Sequence, residues 1–440
     1  MQTNTKKHKP VPGGIVLTLF ICVFCFQTNA HAQSQTLRIP SSPNPVGSGP
    51  RALAMGGAYI SIADTATSGS WNPAGLVQVK KPEISIVGAL FHRIENNSFE
   101  LSPNASGRQS IEDSNINFAS FTVPCHLWNL IMTFSINYQH LYDFNREWNF
   151  SLLQETKTSQ INKQVAFKQK GQLSALGIAY GIRVAHDLYL GFSLNFWNNS
   201  IQGTNYWERI NSEKNIITHI KTGKQMITET YSTDRYELKG QNINLGMKYT
   251  FKKFTLGAVL KTSFKAHLQH YSYFKTSIPP VYEDDAYLNM PMSYGIGLSY
   301  RASDALTVAA DIYRTKWQDF IFTDAEGVET SPISGFKTSE STIGTTTQVR
   351  MGLEYLNIKR DYVVPFRCGL FYDPAPAENS PDHFWGLSLG SGIVFNGYIF
   401  DFAYQYRFGR SAGKSMLQYL NFSQDVDEHA MYGGIIVHLQ

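Results

Sequence analysis

The feature that most constrains this chain is an alternation of apolar and polar residues that recurs in many short segments, separated in turn by short and long connections. Segment 398–408 is the clearest case. Every position on one face is aromatic: Tyr398, Phe400, Phe402, Tyr404, Tyr406 and Phe408. Asp401, Gln405 and Arg407 fall on the opposite face, because side chains alternate across a β-strand. An aromatic face suits lipid, and a polar face suits the inside of a closed barrel.

The same alternation predicts fourteen strands. Their expected bounds are 84–92, 115–124, 129–142, 170–183, 188–200, 238–251, 254–268, 291–301, 305–316, 345–356, 362–373, 383–396, 398–409 and 430–439. Short connections, such as the hairpin signal Asn396-Gly397, alternate with longer ones. The longer connections are 93–114, 143–169, 201–237, 269–290, 317–344, 374–382 and 410–429. Short periplasmic turns and long outer loops predict an all-β, fourteen-stranded antiparallel transmembrane β-barrel.

Composition divides the chain into three segments. We expect a signal peptide at 1–32, an N-terminal hatch at 33–82 and a transmembrane β-barrel at 83–440. The first segment has three early lysines, an apolar stretch and the small-x-small cleavage site Ala30-His31-Ala32. The second is rich in Gly, Ala, Ser and Pro yet carries apolar side chains. It therefore favours a compact plug inside the lumen, here called the hatch, over a disordered leader.

Charge and cysteine content exclude several classes of protein. The formal charge is +4, and removal of three lysines with the signal peptide leaves about +1, which gives no basis for binding nucleic acid. Cys125 and Cys368 are the two cysteines beyond residue 32, so a disulfide framework is not expected. No metal-spaced His/Cys set, nucleophile elbow or P-loop is present in the sequence. We expect no cofactor, no metal site and no enzyme.

Two groups of motifs resemble the outer-membrane long-chain fatty-acid and hydrocarbon transporter family (FadL/TodX type). The N-terminal group is Arg51-Ala52, Gly56-Gly57-Ala58, Ala63-Asp64 and Asn72-Pro73-Ala74. The C-terminal group is 365–369, 372–374, 388–392 and 401–406. The chain departs from the family at Asp64-Thr65, where two acidic residues are common, and at its C-terminus, Val437-His438-Leu439-Gln440, which lacks the usual terminal aromatic residue.

The resemblance implies passive uptake of long-chain fatty acids or similar hydrophobic molecules across the outer membrane of a bacterial cell. A solute would be captured among the outer loops, enter a lumenal pocket and leave sideways when the hatch shifts. The expected partners are the solute, outer-membrane lipids with lipopolysaccharide, and the barrel assembly machinery. A related barrel that anchors or receives secreted proteins at the surface is the alternative function, and a general diffusion porin is a weaker one.

Hatch and gating residues are expected at Gly56, Gly57, Asp64, Asn72, Pro73 and Ala74. The proline fixes its own φ and keeps Asn72 extended, so Asn72-Pro73-Ala74 forms a rigid bend. This bend is either the moving element of the hatch or a tight turn within the plug.

Candidate substrate-binding residues form two groups. Arg350, Arg367 and Arg407 fall on inward faces, where they would meet a fatty carboxylate or form lumenal salt bridges. Phe144, Trp148 and Phe150 belong to an apolar stretch, 144–153, within an expected outer loop. That stretch forms either a capture groove for acyl chains or an extension of the third strand.

Two further features are weaker. Glu283-Asp284-Asp285 could hold a divalent cation, but one acidic run lacks a full oxygen cage and indicates a solvated loop. His140 lies near the outer rim, where a barrel lipase could keep its base, but no serine partner is evident.

Overall fold

The computed structural model describes residues 47–128, 130–274 and 280–439. The expected signal peptide and the first part of the expected hatch, 33–46, lie outside the described residues. In the described residues, none of the helices is long and apolar enough to cross a membrane.

Fourteen of the twenty strands in the described residues form a closed antiparallel barrel. They are β1 Glu83–Phe99, β2 Gly107–Leu127, β3 Leu130–Asp143, β5 Ser159–Ala185, β6 Leu188–Asn198, β8 Gln225–Phe251, β9 Phe254–Lys261, β12 Ser293–Arg301, β13 Leu306–Thr315, β16 Thr346–Ile358, β17 Val363–Tyr372, β18 Phe384–Phe395, β19 Tyr398–Ala412 and β20 Phe422–His438. Each strand pairs with the next, and β20 pairs with β1 to close the wall. The predicted fold class is therefore confirmed.

The remaining six strands continue the long outer connections beyond the barrel. They are β4 Arg146–Glu155, β7 Tyr206–His219, β10 Phe264–Phe274, β11 Tyr282–Met290, β14 Ile321–Thr323 and β15 Glu329–Thr330. Together with the outer halves of β5 and β8 they form one sheet that stands on part of the rim. Most connections that the sequence presents as polar loops are thus hairpins, because ion pairs such as Lys163–Glu213 satisfy their alternating polar side chains.

The helices are short. They are α1 Pro50–Ala54, α2 Ser68–Trp71 and α3 Asn199–Gln202, with 3-10 helices at Pro73–Gln78, Pro103–Ala105, Trp317–Asp319 and Gln418–Leu420. Of these, α1, α2 and the first 3-10 helix lie inside the barrel.

The structure agrees with one local expectation, a hairpin, and differs from another, a single strand. Asn396 and Gly397 have φ of 47° and 83°, and Phe395 pairs with Tyr398, so the two-residue hairpin is confirmed. The expected single strand 254–268 is wrong, because it breaks after Lys261 into β9 and β10. The break occurs at Thr262 and Ser263, where the hairpin leaves the wall and continues into the outer sheet.

Side chains sort by face as the alternation predicts. Along β19, Phe400 and Phe402 are exposed on the outside, whereas Ala403 and Arg407 are buried inside. The same outward apolar band runs through the neighbouring strands, for example at Leu389 and Met431. An exterior of this kind is stable against lipid tails and unfavourable in water.

Candidate functional site

Residues 47–79 fill the lower lumen. Tyr59 and Trp71 are fully buried and meet edge to face, with ring centroids 5.8 Å apart. The Trp71 indole N–H donates to the Ser48 carbonyl at 2.7 Å, which ties the start of this segment to α2. A segment with no exposed aromatic side chain and its own hydrogen bonds is folded within the barrel, not loosely threaded through it.

The Asn72-Pro73-Ala74 bend is fixed by hydrogen bonds from one side chain. The Asn72 amide donates to the carbonyls of Ile60 at 2.9 Å and Met247 at 3.0 Å, and its oxygen accepts from the Ala74 N–H at 3.2 Å. Met247 belongs to the wall strand β8, so the bend joins two parts of the hatch and the barrel at one point. Asn72 is completely buried.

Glycines on the inner wall let the hatch backbone approach the strands directly. A methyl group at Gly191 or Gly246 would collide with Asn72 or Pro73, and one at Gly369 would collide with Gly56. Other inward glycines whose added methyl group would meet the hatch are Gly181, Gly257, Gly297, Gly352, Gly390 and Gly434. Gly181, Gly191 and Gly246 pair in series across three strands, so this contact is a continuous belt. Close approach of two backbones requires glycine here.

Arg367 and Arg350 hold the hatch and do not face an open pocket. Arg367 pairs with Glu354 and Asp401 at 2.6 Å each, and Glu354 also accepts from the hatch residue Arg51 at 2.9 Å. Arg350 donates to the Gly56 carbonyl at 2.9 Å. These buried groups are paired, as lumenal charges are expected to be.

The expected hatch residues occupy distinct positions. Gly56 and Gly57 adopt φ of 66° and 76°, in the left-handed region, and the Gly56 N–H donates to the Ser388 hydroxyl at 2.8 Å. Asp64 forms an ion pair with Arg51 and accepts from the Tyr59 hydroxyl at 3.3 Å. These three residues therefore stabilise the loop between α1 and α2.

Above the hatch, three arginines surround a small chamber. Arg93 pairs with Glu95 at 2.7 Å and with Glu428 at 2.9 Å. Arg407 also pairs with Glu428, at 2.8 Å, and stacks over the Phe384 ring at 3.8 Å. The third is Arg146 of β4, which lies over the Trp148 ring at 5.1 Å.

The chamber has apolar walls as well as these cations. Its apolar lining includes Trp317, Phe320, Ile333, Phe384 and Met416. Its volume is about 40 Å³, which is room for roughly three water molecules and far below the ~300 Å³ of a small-ligand pocket. In this conformation the chamber is too small for an acyl chain.

Three outer connections cover the chamber and meet at Glu378. Its carboxylate accepts from the hydroxyls of Ser341 at 2.8 Å and Thr342 at 2.7 Å, and from the Thr342 N–H. The Glu378 N–H donates to the Ser415 hydroxyl at 2.8 Å. Burial alone would raise the pKa of Glu378, but these hydrogen bonds, together with one from Ser334, outweigh it and lower the pKa.

Asp382 lies at the chamber edge on the same connection as Glu378. Its carboxylate accepts from the Gly413 N–H at 2.7 Å. Burial raises the pKa of Asp382, although this hydrogen bond and Lys414 oppose the shift. The cover over the chamber thus contains two carboxylates whose pKa values move in opposite directions.

The aromatic residues expected on an outer loop are buried, not exposed. Phe144 lies in an apolar cluster with Trp207, which it stacks on at 4.7 Å. Trp148 lies in a second cluster with Phe167 and Phe422, and Phe150 packs against that cluster. The stretch continues β3 into β4, as one of the two readings had it, and the exposed capture groove is wrong because these side chains pack inward.

The wall has a break in backbone pairing between β2 and β3. Their ladder ends at Phe118 and Gln139. Beyond this point, residues 107–116 of β2 pair with β1 alone, while His140, Tyr142 and Asp143 of β3 pair with β5 alone. Side chains bridge the space, since Gln109 donates to the Asn149 carbonyl at 3.0 Å and Asp113 lies beside Asp143.

The inner end of the break lies next to the hatch, near the outer edge of the apolar band. Ile116 on β2 and Ile136 on β3 are exposed on the outside close to this end. Gln139 stands nine residues above the start of β3, roughly 23 Å for a strand of this tilt, and the apolar band is ~25 Å tall. On the inside, the Ser48 hydroxyl donates to the Asn117 carbonyl at 3.3 Å.

The structure also gives the positions of the acidic run 283–285 and of His140. Asp284 and Asp285 bond to His270 at 2.7 Å and His267 at 2.9 Å in the outer sheet. Across the described residues, no group of three or more His, Cys, Asp or Glu side chains is arranged to hold a metal ion. His140 is buried on β3 beside the break.

Three features of the site were not expected from the sequence: Arg93, Arg146 and the break in the wall. Arg93 follows the predicted end of β1 at residue 92, yet the inward alternation continues through Glu95, Asn97 and Phe99. Following that alternation would have found Arg93. The break coincides with a bulge at Asn117 in β2 and one at Leu141 in β3, where the alternation of buried and exposed side chains shifts by one residue. Such a shift is not distinctive in the sequence, because Asn117-Phe118 and His140-Leu141 each place a polar residue beside an apolar one.

A closed barrel with a lipid-facing exterior, an internal plug and a paired-charge lumen defines an outer-membrane β-barrel transport protein. The sequence model of the family described as outer membrane protein transport protein (OMPP1/FadL/TodX) matches residues 26–433. The chain therefore belongs to this family, whose members are channels and transporters of hydrophobic compounds and not enzymes.

Solved structures show the same fold. A FadL homologue from Pseudomonas aeruginosa superposes with a TM-score of 0.57 at 11% identity, over 90% of this chain and 99% of that one. The toluene transporter TodX of Pseudomonas putida gives 0.53 at 13%, and TbuX of Ralstonia pickettii gives 0.51 at 14%. Both cover 90% of this chain and 100% of their own. No curated protein sequence matches the chain.

Proposed function

We propose that this protein takes up long-chain fatty acids, or hydrophobic molecules of similar size, by passive diffusion through the chamber and out through the β2–β3 break. The observation that supports it is the arrangement of a chamber that combines apolar walls with three arginines, next to a break in the wall whose inner end lies in the apolar band. Apolar walls suit an acyl chain, and guanidinium groups pair with carboxylates in a bidentate geometry.

Arg407 and Arg146 are the better candidates for the carboxylate than Arg350 or Arg367. The first two line the chamber, whereas the other two bond to the hatch and its wall partners. A carboxylate arriving at Arg407 would compete with Glu428 and Asp373 for the guanidinium. When no solute is bound, Arg407 would stay paired with these two acids, so its buried charge would not be left without a partner.

The hatch would act as a pivoted gate. The Asn72-Pro73-Ala74 bend is bonded to the wall and packed on glycines, which favours a fixed pivot over a moving element. Ser48 lies beside the break and is hydrogen-bonded to Trp71, the last residue of α2. Ser48 and α2 would move together and so connect the break with the chamber.

The test is uptake of a labelled long-chain fatty acid by cells that lack their own outer-membrane transporter and express this protein. The fatty alcohol of equal chain length serves as the matched solute without a carboxylate. Wild type should take up both in a saturable manner. Arg146→Gln with Arg407→Gln should lower fatty-acid uptake by about tenfold, the value of a charge-assisted hydrogen bond, and spare the alcohol. No uptake of either solute by well-assembled barrels would reject the proposal.

Aromatic hydrocarbons are the second candidate substrate. TodX and TbuX share the fold and are described as toluene transporters. The aromatic lining by Trp317, Phe320 and Phe384 would accept a ring as well as an acyl chain. Uptake of labelled toluene with no fatty-acid uptake would select this candidate.

A further inference from the structure

The lipid-facing side of the barrel carries two adjoining hollows. The upper hollow, of about 550 Å³, lies across β18, β19, β20, β1 and β2. The lower hollow, of about 610 Å³, lies across β16, β17, β18 and β19. Both are lined by the outward side chain of Tyr404, so they adjoin there, and together they are called the groove.

The upper hollow is polar and contains two exposed arginines. Arg410 donates to the carbonyls of Gly409 and Val426 and to Asp427 at 2.8 Å, which fixes its position. A guanidinium has five N–H donors, so Arg410 keeps donors for a further acceptor. Arg108 is exposed, and within the described part of the chain its side chain makes no hydrogen bond or ion pair.

Tyrosine and histidine complete the upper hollow. Tyr406 donates to Asp427 at 2.6 Å, and the Tyr404 hydroxyl meets His429 Nδ1 at 2.7 Å. Asp427 is thereby occupied by Tyr406 and Arg410 together. Two other acids lie nearby. Glu112 is paired with His92 at 3.2 Å and points into solvent. Asp425 accepts from the Ser411 N–H at 2.8 Å and stands beside Asn96, which lines the hollow.

The lower hollow is apolar. Its floor and sides are Leu353, Phe366, Cys368, Leu389 and Phe402. All five project outward from the barrel, where lipid tails lie.

The heights of the two hollows match the two parts of an outer-leaflet lipid. Tyr404 lies six residues and Arg410 twelve residues from the start of β19, roughly 15 Å and 30 Å above the periplasmic turn. The apolar band of such a barrel is about 25 Å tall. The lower hollow therefore lies among acyl chains, and Arg410 lies at the outer headgroups.

We propose that this groove is a specific site for the phosphorylated glycolipid of the outer leaflet, the lipid A part of lipopolysaccharide. A phosphate would accept from Arg108 and Arg410, and an acyl chain would lie in the lower hollow. Arginine suits a phosphate because its fork of donors matches two phosphate oxygens. The site faces the membrane and not the lumen, so it does not depend on the proposed transport.

The test is native mass spectrometry of the purified full-length barrel with an equimolar mixture of lipid A, dephosphorylated lipid A and phosphatidylglycerol. Wild type should retain lipid A in clear excess over the other two. Arg108→Gln with Arg410→Gln should lower lipid A retention by about tenfold. Cys368→Trp, which fills the lower hollow from its exposed side, should lower retention of both forms of lipid A.

Arg301→Gln is the matched control, because Arg301 is an exposed arginine at the periplasmic end of β12. It should retain lipid A as wild type does. Arg108→Gln alone keeps the test valid if the double variant fails to assemble, since Arg108 has no partner to lose in the described residues. Equal retention of dephosphorylated lipid A, a preference for phosphatidylglycerol, or unchanged retention in the arginine variants would overturn the proposal. Loss of fatty-acid uptake has no bearing on it.

Discussion

Asn72 joins the hatch to the wall through one buried amide. Its two donated hydrogen bonds end on Ile60 and Met247, on either side of the contact between hatch and barrel. Asn72→Ala would leave both carbonyls without this donor. We expect the free energy of local opening of the hatch to fall by about 1–3 kcal/mol, measured by amide hydrogen exchange. Asn104→Ala, in an exposed turn, should change nothing, and equal protection in Asn72→Ala would contradict the anchoring role.

Alanine in place of Gly191 should destabilise the hatch more than alanine in place of Gly433, another glycine of the wall. Gly191 meets the backbone of Pro73, which cannot move aside as a flexible side chain would. Gly433 is the matched control, because a methyl group there meets nothing within 4 Å. Gly191→Ala should lower the free energy of unfolding by about 1–3 kcal/mol through overpacking. The measurement is the temperature at which the barrel no longer migrates as the folded form on a gel, and this temperature should fall. Equal effects of the two substitutions would show that the hatch does not press on the wall.

At the scale of elements, the cover of the chamber depends on one carboxylate. Glu378 joins the connection between β17 and β18 to the connections before β16 and after β19. Its pKa is lowered in the folded protein, so its contribution is present above the ordinary carboxyl pKa and is lost as pH falls through the lowered value.

Glu378→Gln should therefore loosen the cover at neutral pH and remove this pH dependence. Faster exchange of the Thr342 amide proton is the expected sign, because that N–H donates to the Glu378 carboxylate. Glu340→Gln is the control, because Glu340 is exposed and lies on the same connection as Thr342. An unchanged exchange rate at Thr342 in Glu378→Gln would show that other contacts close the chamber.

At the scale of the whole molecule, the barrel could be predicted from the sequence, but the outer sheet and the roles of individual arginines could not. The barrel was predictable because period-two alternation marks each strand, as at Phe400, Asp401 and Phe402, and because closure leaves no other way to satisfy the strand edges. The outer sheet was not predictable, since β7 and the outer part of β8 have the polar composition of loops. The roles of Arg350 and Arg407 could not be separated either, because both face inward and only the fold decides which one meets the hatch.

The central claim is that solute passes from the chamber to the β2–β3 break when α2 of the hatch moves. A disulfide can test it, because a Cβ at Gly69 would lie 3.6 Å from the Cβ of Ala179 on the wall, within the usual range for a disulfide. Gly69→Cys with Ala179→Cys, in a chain with Cys125→Ser and Cys368→Ser, should fix α2 to β5.

The measurement is uptake of labelled long-chain fatty acid by cells carrying this variant, before and after addition of a reductant. The account predicts little uptake in the oxidised barrel and a return to the uptake of the cysteine-free parent on reduction. Full uptake with the disulfide shown to be formed would contradict it, because solute would then cross without movement of the hatch.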